Sequence, residues 1–530
     1  MFLITDFPEE LAERKNATLT NGILRGVERE CLRVKQDGQF SLDPHPKALG
    51  SALTHPFITT DFSEALLEFI TPPTHQIGDL FAHLDGIHRH VAAKLGDELL
   101  WTTSMPCALP ENENDIPVAR YGHSHNGQMK SIYRVGLGNR YGRSMQTVAG
   151  LHYNFSLPNA FWAHFHSKEN SLLSLEAFKD QRYFGLIRNF RRHFWLLILL
   201  FGASPAMCRS FVGSRQHNLD THPKSQALYR PYATSLRMGD LGYQSSAQES
   251  LFICYNHKHS YIKTLADAIL EPHPLYQQQS LKDKNGEYTQ LNQGLLQIEN
   301  EFYSAIRPKR SAKPGETALT ALHNRGVEYI EVRCLDINPY DPLGISEEQV
   351  AFLDTFLLYC ALADSPEADD AEFSAILKNQ KKIVNEGRKP GLSLEHPEHG
   401  QLSVHTWAKD LMSAMRPVAE LLNSTYEDDR FTQALTAQEA CIDDLSLTPS
   451  ATLLSQLDAE HGGYSALTLA LTRKNNERLM MSPLSADATA RYDDIALESV
   501  AQQIAIESNT EGRFDSFLHN YYTQYERLRE

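Results

Sequence analysis

The sequence has few cysteines, no surplus of positive charge and no apolar run long enough to cross a membrane. Its seven cysteines in 530 residues are scattered and form no C-x-x-C pair, which argues against a zinc ribbon or a disulfide scaffold. The net charge of -16 excludes nucleic acid and anionic membranes as main partners, because both attract a surplus of Lys and Arg. Scattered thiols of this kind are typical of the reducing cytoplasm, where we expect the protein to be.

The N-terminal stretch and the longest apolar run both lack membrane features. Residues 1–15, MFLITDFPEELAERK, turn acidic from Asp6 onward and have neither a basic start nor a small-residue cleavage site, so we expect no signal peptide. The run from Phe194 to Cys208 is uncharged for 15 residues, short of the roughly 20 that span a bilayer, and Pro205 interrupts it. This run predicts a buried helix that ends near Gly202.

Common nucleotide and catalytic motifs are absent as well. The sequence contains no G-x-x-x-x-G-K-[ST], no H-E-x-x-H and no G-x-S-x-G. The glycines of GLGNRYG, at 136–142, have the wrong spacing for a dinucleotide loop. Any nucleotide is therefore bound without a P-loop.

Four short segments alternate between apolar and polar residues, the pattern of half-buried strands. They are GVERECLRV (26–34), EALLEFITPP (64–73), GLHYNFSLP (150–158) and GVEYIEVRCLDINP (326–339). The intervening stretches 181–202 and 347–364 have apolar residues three and four apart, and the chain beyond about residue 400 is almost wholly helical in pattern. Ser365 and Pro366 predict the start of a further helix. The fold class is α+β, with a mainly antiparallel sheet flanked by helices.

Carboxylates are unusually frequent in the predicted strands. Glu28 and Glu30 share one strand face, about 7 Å apart, while Glu68 and Glu331 lie on half-apolar faces of their own strands. Grouped carboxylates repel and have raised pKa values unless cations neutralise them. Hard divalent cations such as Mg²⁺ or Mn²⁺ do this with oxygen ligands, whereas a glycosidase needs only two carboxylates. The full set is Glu28, Glu30, Asp61, Glu64, Glu68, Glu328 and Glu331.

Hydrogen-bond donors accompany these carboxylates. His152 and Asn154 are two residues apart and point to the same side of their strand, and Arg333 is two residues after Glu331. Together with a metal ion, such donors suit phosphoryl transfer, in which metals and Arg carry the charge. On the opposite face of the first strand, we expect Arg29 and Arg33 to form ion pairs behind the sheet.

Nine ordered segments between about residues 20 and 395 resemble the glutamate-cysteine ligase (γ-glutamylcysteine synthetase) family of proteobacterial type. They are GVERECLRV, GSALTHPFITTDFSEALLEFITPP, SMPC, YGRSMQTVAGLHYNFSLP, FGASPAMC, PYATSLRMGDLGYQS, LQIENEFYSAIRPKR, GVEYIEVRCLDINP and EGRKPGL. The resemblance implies a curved antiparallel sheet of the glutamine-synthetase type. It also implies a catalytic region at 1–395 and a helical C-terminal region at 396–530 packed on the same domain.

The resemblance further implies roles for individual residues. Two or three Mg²⁺ ions, or Mn²⁺, would be held by Glu28, Glu30, Asp61, Glu68 and Glu331. The nucleotide phosphates would be bound by His152, Asn154, Lys309 and Arg333, and of these Arg333 and His152 would also be catalytic. The amino-acid pockets would be formed by Tyr133, Arg134, Leu137, Gln146, Arg237, Tyr243 and Tyr303. Glu64 and Glu328 have no role in this scheme.

The implied reaction joins the γ-carboxylate of L-glutamate to the amine of L-cysteine at the expense of ATP, through a γ-glutamyl phosphate. It is the first step of glutathione synthesis, and we expect a monomer to carry it out. Two alternatives stay open. One is a γ-glutamyl ligase with another amine acceptor, which the size of the tyrosine-lined pocket would decide. The other is an inactive homologue that only binds glutamate or nucleotide.

Overall fold

The computed structural model describes residues 17–106, 108–242, 248, 251–459 and 462–529. Within these ranges no helix is both long and apolar enough to cross a membrane. The strands are β1 Leu24–Lys35, β2 Ile58–Thr60, β3 Leu66–Ile70, β4 Glu98–Leu100, β5 Leu151–Ser156, β6 Ala206–Met207, β7 Asp220–Thr221, β8 Leu228–Tyr229, β9 Ile306–Lys309, β10 Tyr329–Leu335, β11 Ser393–His396 and β12 Gly400–Ser403.

Seven of these strands form one antiparallel sheet. Their order is β2-β3-β1-β5-β10-β9, and β4 pairs with the end of β1. Two small sheets, β6-β8-β7 and β11-β12, lie apart from it. All four segments predicted from alternation contain strands of the large sheet. The predicted fold class is therefore confirmed.

Helices surround the sheet and make up most of the C-terminal part. They are α1 Ala17–Asn21, α2 Ile77–Lys94, α3 His125–Tyr141, α4 Asn159–Lys168, α5 Leu175–His193, α6 Trp195–Phe201, α7 Arg209–Val212, α8 Lys258–Leu270, α9 Pro274–Gln277, α10 Ala318–Arg325, α11 Glu347–Leu362, α12 Asp370–Glu386, α13 Val404–Tyr426, α14 Arg430–Asp443, α15 Pro449–Ala459, α16 Gly463–Met480, α17 Ala486–Ser508 and α18 Phe514–Glu526. The apolar run at 194–208 is buried, as predicted, and its helix α6 ends at Phe201.

The predicted helix start at Ser365 and Pro366 is wrong. The next helix, α12, begins at Asp370, and the side chain of Asp369 caps it by accepting a hydrogen bond from Glu372 N. The Ser365 hydroxyl instead donates to the carbonyl of Gly185 on α5. Tertiary contacts with α5 thus hold this segment extended, and the later Asp takes the capping position.

One face of the sheet packs into the largest apolar core. Its members include Val27 of β1, Tyr153 and Phe155 of β5, and Ile330 and Val332 of β10. Residues of α5, α6 and α11 complete the same core. Since strand side chains alternate, the residues between these point to the opposite face, which carries the predicted carboxylates.

The face that packs on the helices also buries arginines of β1. Arg25 Nε donates to Asp354 Oδ2 of α11 at 2.5 Å, with both side chains fully buried. Arg33 forms an ion pair with Glu98 of β4, as predicted. The prediction for Arg29 is wrong, because this buried residue has no ion pair within the described chain and its Nε and Nη1 have no hydrogen-bond partner.

The C-terminal helices contact the sheet through specific hydrogen bonds. On α16, the Asn476 side chain accepts from Leu100 N at 3.0 Å and donates to Leu100 O at 2.8 Å. The neighbouring Asn475 donates to Thr102 Oγ1 and to the carbonyl of Pro339. Because both amides are buried and paired, α16 is fixed against the edge of the sheet at β4.

Candidate active site

Four central strands bring the predicted carboxylates onto one face of the sheet. Glu30 of β1 lies opposite Glu68 of β3, and Glu28 lies opposite His152 of β5. On the far side of β5, Glu331 of β10 is paired with Asn154. The strand order thus converts residues far apart in sequence into one row of side chains.

His152 connects three of these carboxylates. Its Nδ1 lies 3.1 Å from Glu28 Oε2 and 3.8 Å from Glu331 Oε1, and its Nε2 lies 3.5 Å from Glu30 Oε1. Asn154 donates from Nδ2 to Glu28 Oε1 at 2.8 Å. Ligand atoms of Glu28, His152 and Glu331 all lie within 4.8 Å of one another, close enough to share a metal ion.

Cations border the carboxylates on the β9 and β10 side. Arg333 Nη1 is 3.0 Å from Glu331 Oε1 and 3.4 Å from His152 Nδ1. Lys309 Nζ, at the end of β9, is 3.4 Å from the same Glu331 oxygen. Positive charge is therefore concentrated at one end of the row, next to Glu331.

The pKa values of the carboxylates reflect this uneven charge. Burial raises the pKa of Glu68 well above its ordinary value, and the neighbouring carboxylates raise it further. Burial also raises the pKa of Glu30. At Glu331 burial is outweighed by Arg333 and Lys309, which hold its pKa well below the ordinary value. At the end of the row formed by Glu30 and Glu68, the nearby positive charge is thus too small to offset the burial and repulsion of the carboxylates.

The donor set fits a hard divalent cation. Carboxylate oxygens are the ligands that Mg²⁺ and Mn²⁺ prefer, and Glu28, Glu30, Asp61, Glu68 and Glu331 all line one cavity of about 440 Å³. Glu331 Oε2 is buried without a hydrogen-bond partner among the described residues. An orphaned, buried carboxylate oxygen is costly unless a cation satisfies it.

Gly150 allows a close approach behind Glu30. Its N–H donates to Glu30 Oε2 at 2.5 Å, and a Cβ at this position would lie 2.8 Å from Arg237 Nη1. Arg237 is buried, and its Nε donates to Asp336 Oδ1 at 2.8 Å. A larger side chain at this position would therefore press on the buried Arg237 guanidinium next to Glu30.

Helix α3 forms the wall of the cavity that faces the sheet. Tyr133, Arg134 and Leu137 lie along one side of it and line the cavity. Arg134 stacks on Tyr121, with its Cζ 4.5 Å from the ring centroid, and donates from Nε to the Asp61 carbonyl. These contacts hold its guanidinium beside the turn that carries the Asp61 carboxylate.

Gln146 and Tyr303 complete the cavity next to α3. Gln146 Nε2 donates to the Tyr303 hydroxyl at 3.1 Å, and both residues line the cavity. A ring and an amide joined by a hydrogen bond give a small pocket with a fixed shape.

Most of the predicted site residues lie together in this cavity. They are Glu28, Glu30, Asp61, Glu68, Tyr133, Arg134, Leu137, Gln146, His152, Tyr303, Lys309, Glu331 and Arg333. Asn154 reaches the site through Glu28, whereas Arg237 lies behind Gly150 and does not line the cavity. Tyr243 lies outside the described residues.

Several other residues of the cavity were not predicted from the sequence, and three of them show why. Arg307 is two residues before Lys309 on β9, so strand alternation indicated its direction. Lys130 is three residues before Tyr133 on α3, and burial lowers its pKa to about 8. Tyr521 of α18 also lines the cavity, and no local pattern in the sequence indicated it.

Comparison with known proteins identifies what this chain is similar to. The sequence profile for glutamate-cysteine ligase matches residues 9–383. A glutamate–cysteine ligase of Saccharophagus degradans is 56% identical over 526 residues, 99% of this chain and 99% of that protein. Another, of Alcanivorax borkumensis, is 46% identical over 513 residues, 96% of each chain.

Solved structures agree with the sequence comparison. A glutamate–cysteine ligase of Francisella tularensis, crystallised in complex with AMP, superimposes with a TM-score of 0.89 at 34% identity and covers 96% of this chain and 98% of that chain. A bifunctional glutathione synthetase of Pasteurella multocida has a TM-score of 0.68 at 22% identity and covers 93% of this chain and 57% of that chain, a likeness of fold alone. The chain belongs to the glutamate-cysteine ligase family.

Proposed function

We propose that the protein joins the γ-carboxylate of L-glutamate to the amine of L-cysteine, with ATP converted to ADP and phosphate. The product is γ-glutamylcysteine, and the reaction is the first step of glutathione synthesis. Relatives at 46–56% identity that match nearly the whole chain are named glutamate–cysteine ligase. The Francisella tularensis relative was crystallised with AMP, which supports a nucleotide site in this fold.

One observation carries the proposal. Five carboxylates that could hold cations, three side chains that could bind phosphate, and a tyrosine-lined pocket all face one cavity. A ligase that activates a carboxylate by phosphorylation needs these three parts within reach of each other. An inactive binding protein would have no need of all of them.

We assign two or three Mg²⁺ ions, replaceable by Mn²⁺, to Glu28, Glu30, Asp61, Glu68 and Glu331. When bound, these ions neutralise the phosphate oxygens of ATP and of the transferring group. Glu331 is kept ionised by Arg333 and Lys309, so it can act as a ligand at any pH near neutrality.

Arg333 and His152 stabilise the negative charge that develops during phosphoryl transfer. The Arg333 guanidinium and the His152 ring lie within 3.4 Å of each other and face the cavity. With Lys309 and Asn154, they contact the oxygens of the nucleotide phosphates as the glutamate γ-carboxylate attacks the terminal phosphorus. ADP leaves, and a γ-glutamyl phosphate remains.

The second half of the reaction takes place beside α3. The cysteine amine attacks the acyl phosphate carbon and phosphate leaves, giving the amide. Tyr133, Leu137, Gln146 and Tyr303 surround the short thiol side chain, together with Tyr243 by resemblance. Arg134 binds a substrate carboxylate, and by resemblance so does Arg237, although it lies behind Gly150 rather than in the cavity wall.

We also propose how the protein is organised and where it works. Residues 1–395 form the catalytic region, and the helices of 396–530 pack on the same domain, as the contacts of Asn475 and Asn476 suggest. The protein acts as a monomer in the cytoplasm, and its net charge of -16 disfavours binding to nucleic acid or membranes. Light scattering on the purified protein tests whether it is a monomer.

The assay that tests the function mixes purified protein with ATP, Mg²⁺, L-glutamate and a panel of amines, and follows release of ADP. We expect cysteine to give the highest kcat/KM and γ-glutamylcysteine to be the product by mass spectrometry. A different preferred amine would overturn the assignment of cysteine and support the alternative γ-glutamyl ligase. No turnover with any amine would indicate a binding protein.

A further inference from the structure

The last helix of the chain, α18, reaches the active-site cavity although it lies far outside the matched family profile, which ends at residue 383. Tyr521 of this helix is 9% exposed and lines the cavity together with Lys309, Ala312 and Ala318. The C-terminal region thus supplies part of the wall of the site.

Helix α18 also holds the loop that follows Lys309. Gln524 donates from Nε2 to the Gly315 carbonyl at 2.8 Å and accepts from Thr317 N at 3.1 Å. Both contacts are to backbone groups of the same loop, so one side chain fixes its path. The loop leads directly from β9, where Lys309 lies, to α10.

Two further tyrosines fasten α18 to the same wall. Tyr525 is buried, and its hydroxyl donates to Glu299, whose other carboxylate oxygen accepts from Leu319 N at 3.2 Å. Tyr522 donates from its hydroxyl to the carbonyl of Gln297 at 2.7 Å. The position of Tyr521 is therefore set by the fixed residues that follow it on the helix.

The side chains around Tyr521 differ in chemistry from those around Arg134, although α18 also packs on α3, where the His125 ring lies 5.1 Å from that of Phe517. Near α3 the cavity has the tyrosine pocket and Arg134, which suit an amino acid. Beyond Lys309 it has two alanines, the Tyr521 side chain and Glu316, whose carboxylate Arg325 binds through two contacts of 2.8 Å. A flat ring fits between small side chains and an aromatic one, and an ionised carboxylate accepts hydrogen bonds from hydroxyl groups.

We propose that α18 forms the nucleoside end of the ATP site, with Tyr521 packed against the nucleoside and Gln524 acting as a positioning residue for the 310–317 loop. The inference rests on the proposed function, which has the phosphates at Lys309 and Arg333 and the amino acids beside α3. The nucleoside then occupies the part of the cavity lined by Tyr521, Ala312 and Ala318.

Two probes separate the nucleoside from the phosphates: ADP and inorganic tripolyphosphate, each titrated into the full-length protein with Mg²⁺ by calorimetry. For Tyr521→Ala we expect the Kd of ADP to rise about tenfold, as for loss of one ring stacked on a base, and the Kd of tripolyphosphate to stay unchanged. Tyr521→Phe keeps the ring and should bind ADP as the unchanged protein does. Asn520→Ala, on the exposed side of the same helix, is the matched control.

A separate variant tests the loop contact. Gln524→Ala should raise the KM for ATP about fivefold through loss of two hydrogen bonds, with kcat and the KM for glutamate unchanged. Gln524→Glu retains the acceptor for Thr317 N and should recover part of this loss. Equal rises in the KM of every substrate would show a general structural effect and overturn the positioning role.

The result that would overturn the Tyr521 contact is an unchanged Kd for ADP, or an equal loss for ADP and tripolyphosphate. If Tyr521→Ala does not fold, Tyr521→Leu keeps apolar volume while removing the ring, and the same two outcomes apply. The ADP titration needs no turnover. A protein that binds ADP through Tyr521 but forms no γ-glutamylcysteine would therefore refute the proposed function and support this contact.

Discussion

The two faces of the central sheet differ in how their buried charges are neutralised. On the helix-packed face, Arg25 and Arg33 of β1 meet Asp354 and Glu98, and each ion pair is almost completely buried. On the cavity face of the same strand, Glu28 and Glu30 lie among other carboxylates, and Glu30 has a raised pKa. One strand therefore carries two paired arginines on one face and clustered carboxylates on the other.

This difference separates structural charge from functional charge. A buried ion pair whose partners satisfy each other has nothing left to bind a ligand, and removing one partner is strongly destabilising. A buried carboxylate cluster with an orphaned oxygen destabilises the cation-free protein, and a bound cation stabilises it. We therefore expect substitutions on the helix-packed face to affect folding and those on the cavity face to affect catalysis.

The largest expected effect is on the helix-packed face. Asp354→Asn removes the charge partner of Arg25 and weakens the acceptor for the Tyr153 hydroxyl, which is 2.6 Å away. We expect the free energy of unfolding to fall by about 4 kcal/mol, the usual cost of leaving a buried charge unpaired. Urea denaturation measures this free energy. We expect kcat per folded molecule to be unchanged.

The matched control replaces both partners. The double variant Arg25→Met with Asp354→Leu should recover most of the lost stability, because an apolar pair of similar size replaces a buried ion pair at little cost. If Asp354→Asn is as stable as the unchanged protein, the ion pair does not stabilise this face and the comparison of the two faces is wrong.

The next effect belongs to the cavity face. Glu30→Gln removes one carboxylate from the proposed cation site, and we expect kcat to fall about a hundredfold and more Mg²⁺ to be needed for half-maximal rate. Thermal melting without Mg²⁺ should show no loss of stability, since the change relieves repulsion with Glu68. An unfolded variant with normal activity per folded molecule would make Glu30 structural.

A smaller effect is expected in the tyrosine-lined pocket. Tyr303→Phe removes the hydroxyl that accepts from Gln146 Nε2, so the amide loses its partner and the pocket loses its fixed shape. We expect the KM for cysteine to rise about fivefold, the usual range for one neutral hydrogen bond. The KM for ATP serves as the internal control, and an equal rise there would argue against a pocket for cysteine.

The smallest effect is expected at Arg29, which sharpens the rule for the helix-packed face. This buried guanidinium has no carboxylate partner within 4.0 Å in the described parts of the chain. We expect Arg29→Met to change the free energy of unfolding by less than about 1 kcal/mol, because no ion pair is broken. A loss as large as that of Asp354→Asn would show that Arg29 has a stabilising role that ion pairing does not explain.

Much of the cavity face could be predicted from the sequence, because alternation depends only on neighbouring residues. It put Glu28 with Glu30 and His152 with Asn154 on common faces, and the register of β1, β3 and β5 agrees. The ion pair of Arg33 followed from the same alternation. The roles of these residues came from family resemblance, since alternation gives direction and not chemistry.

The remainder depends on contacts between distant parts of the chain. The order of strands brings Glu331 next to β5, and nothing near residue 331 determines that order. Tyr521 lines the same cavity as Lys309 through packing of the last helix, more than 200 residues away, so no local spacing could indicate it. The predicted start of α12 was wrong for the same reason, because the Ser365 side chain is held by Gly185 of α5.

The most direct test of the central claim is to locate cations in the crystal. Crystals grown with Mn²⁺ and a non-hydrolysable ATP analogue should show anomalous peaks on the cavity face, about 2.0–2.3 Å from oxygens of Glu28, Glu30, Glu68 and Glu331. We expect no peak on the helix-packed face at Asp354 or Glu98. Bound nucleotide with no manganese at these glutamates would contradict the account.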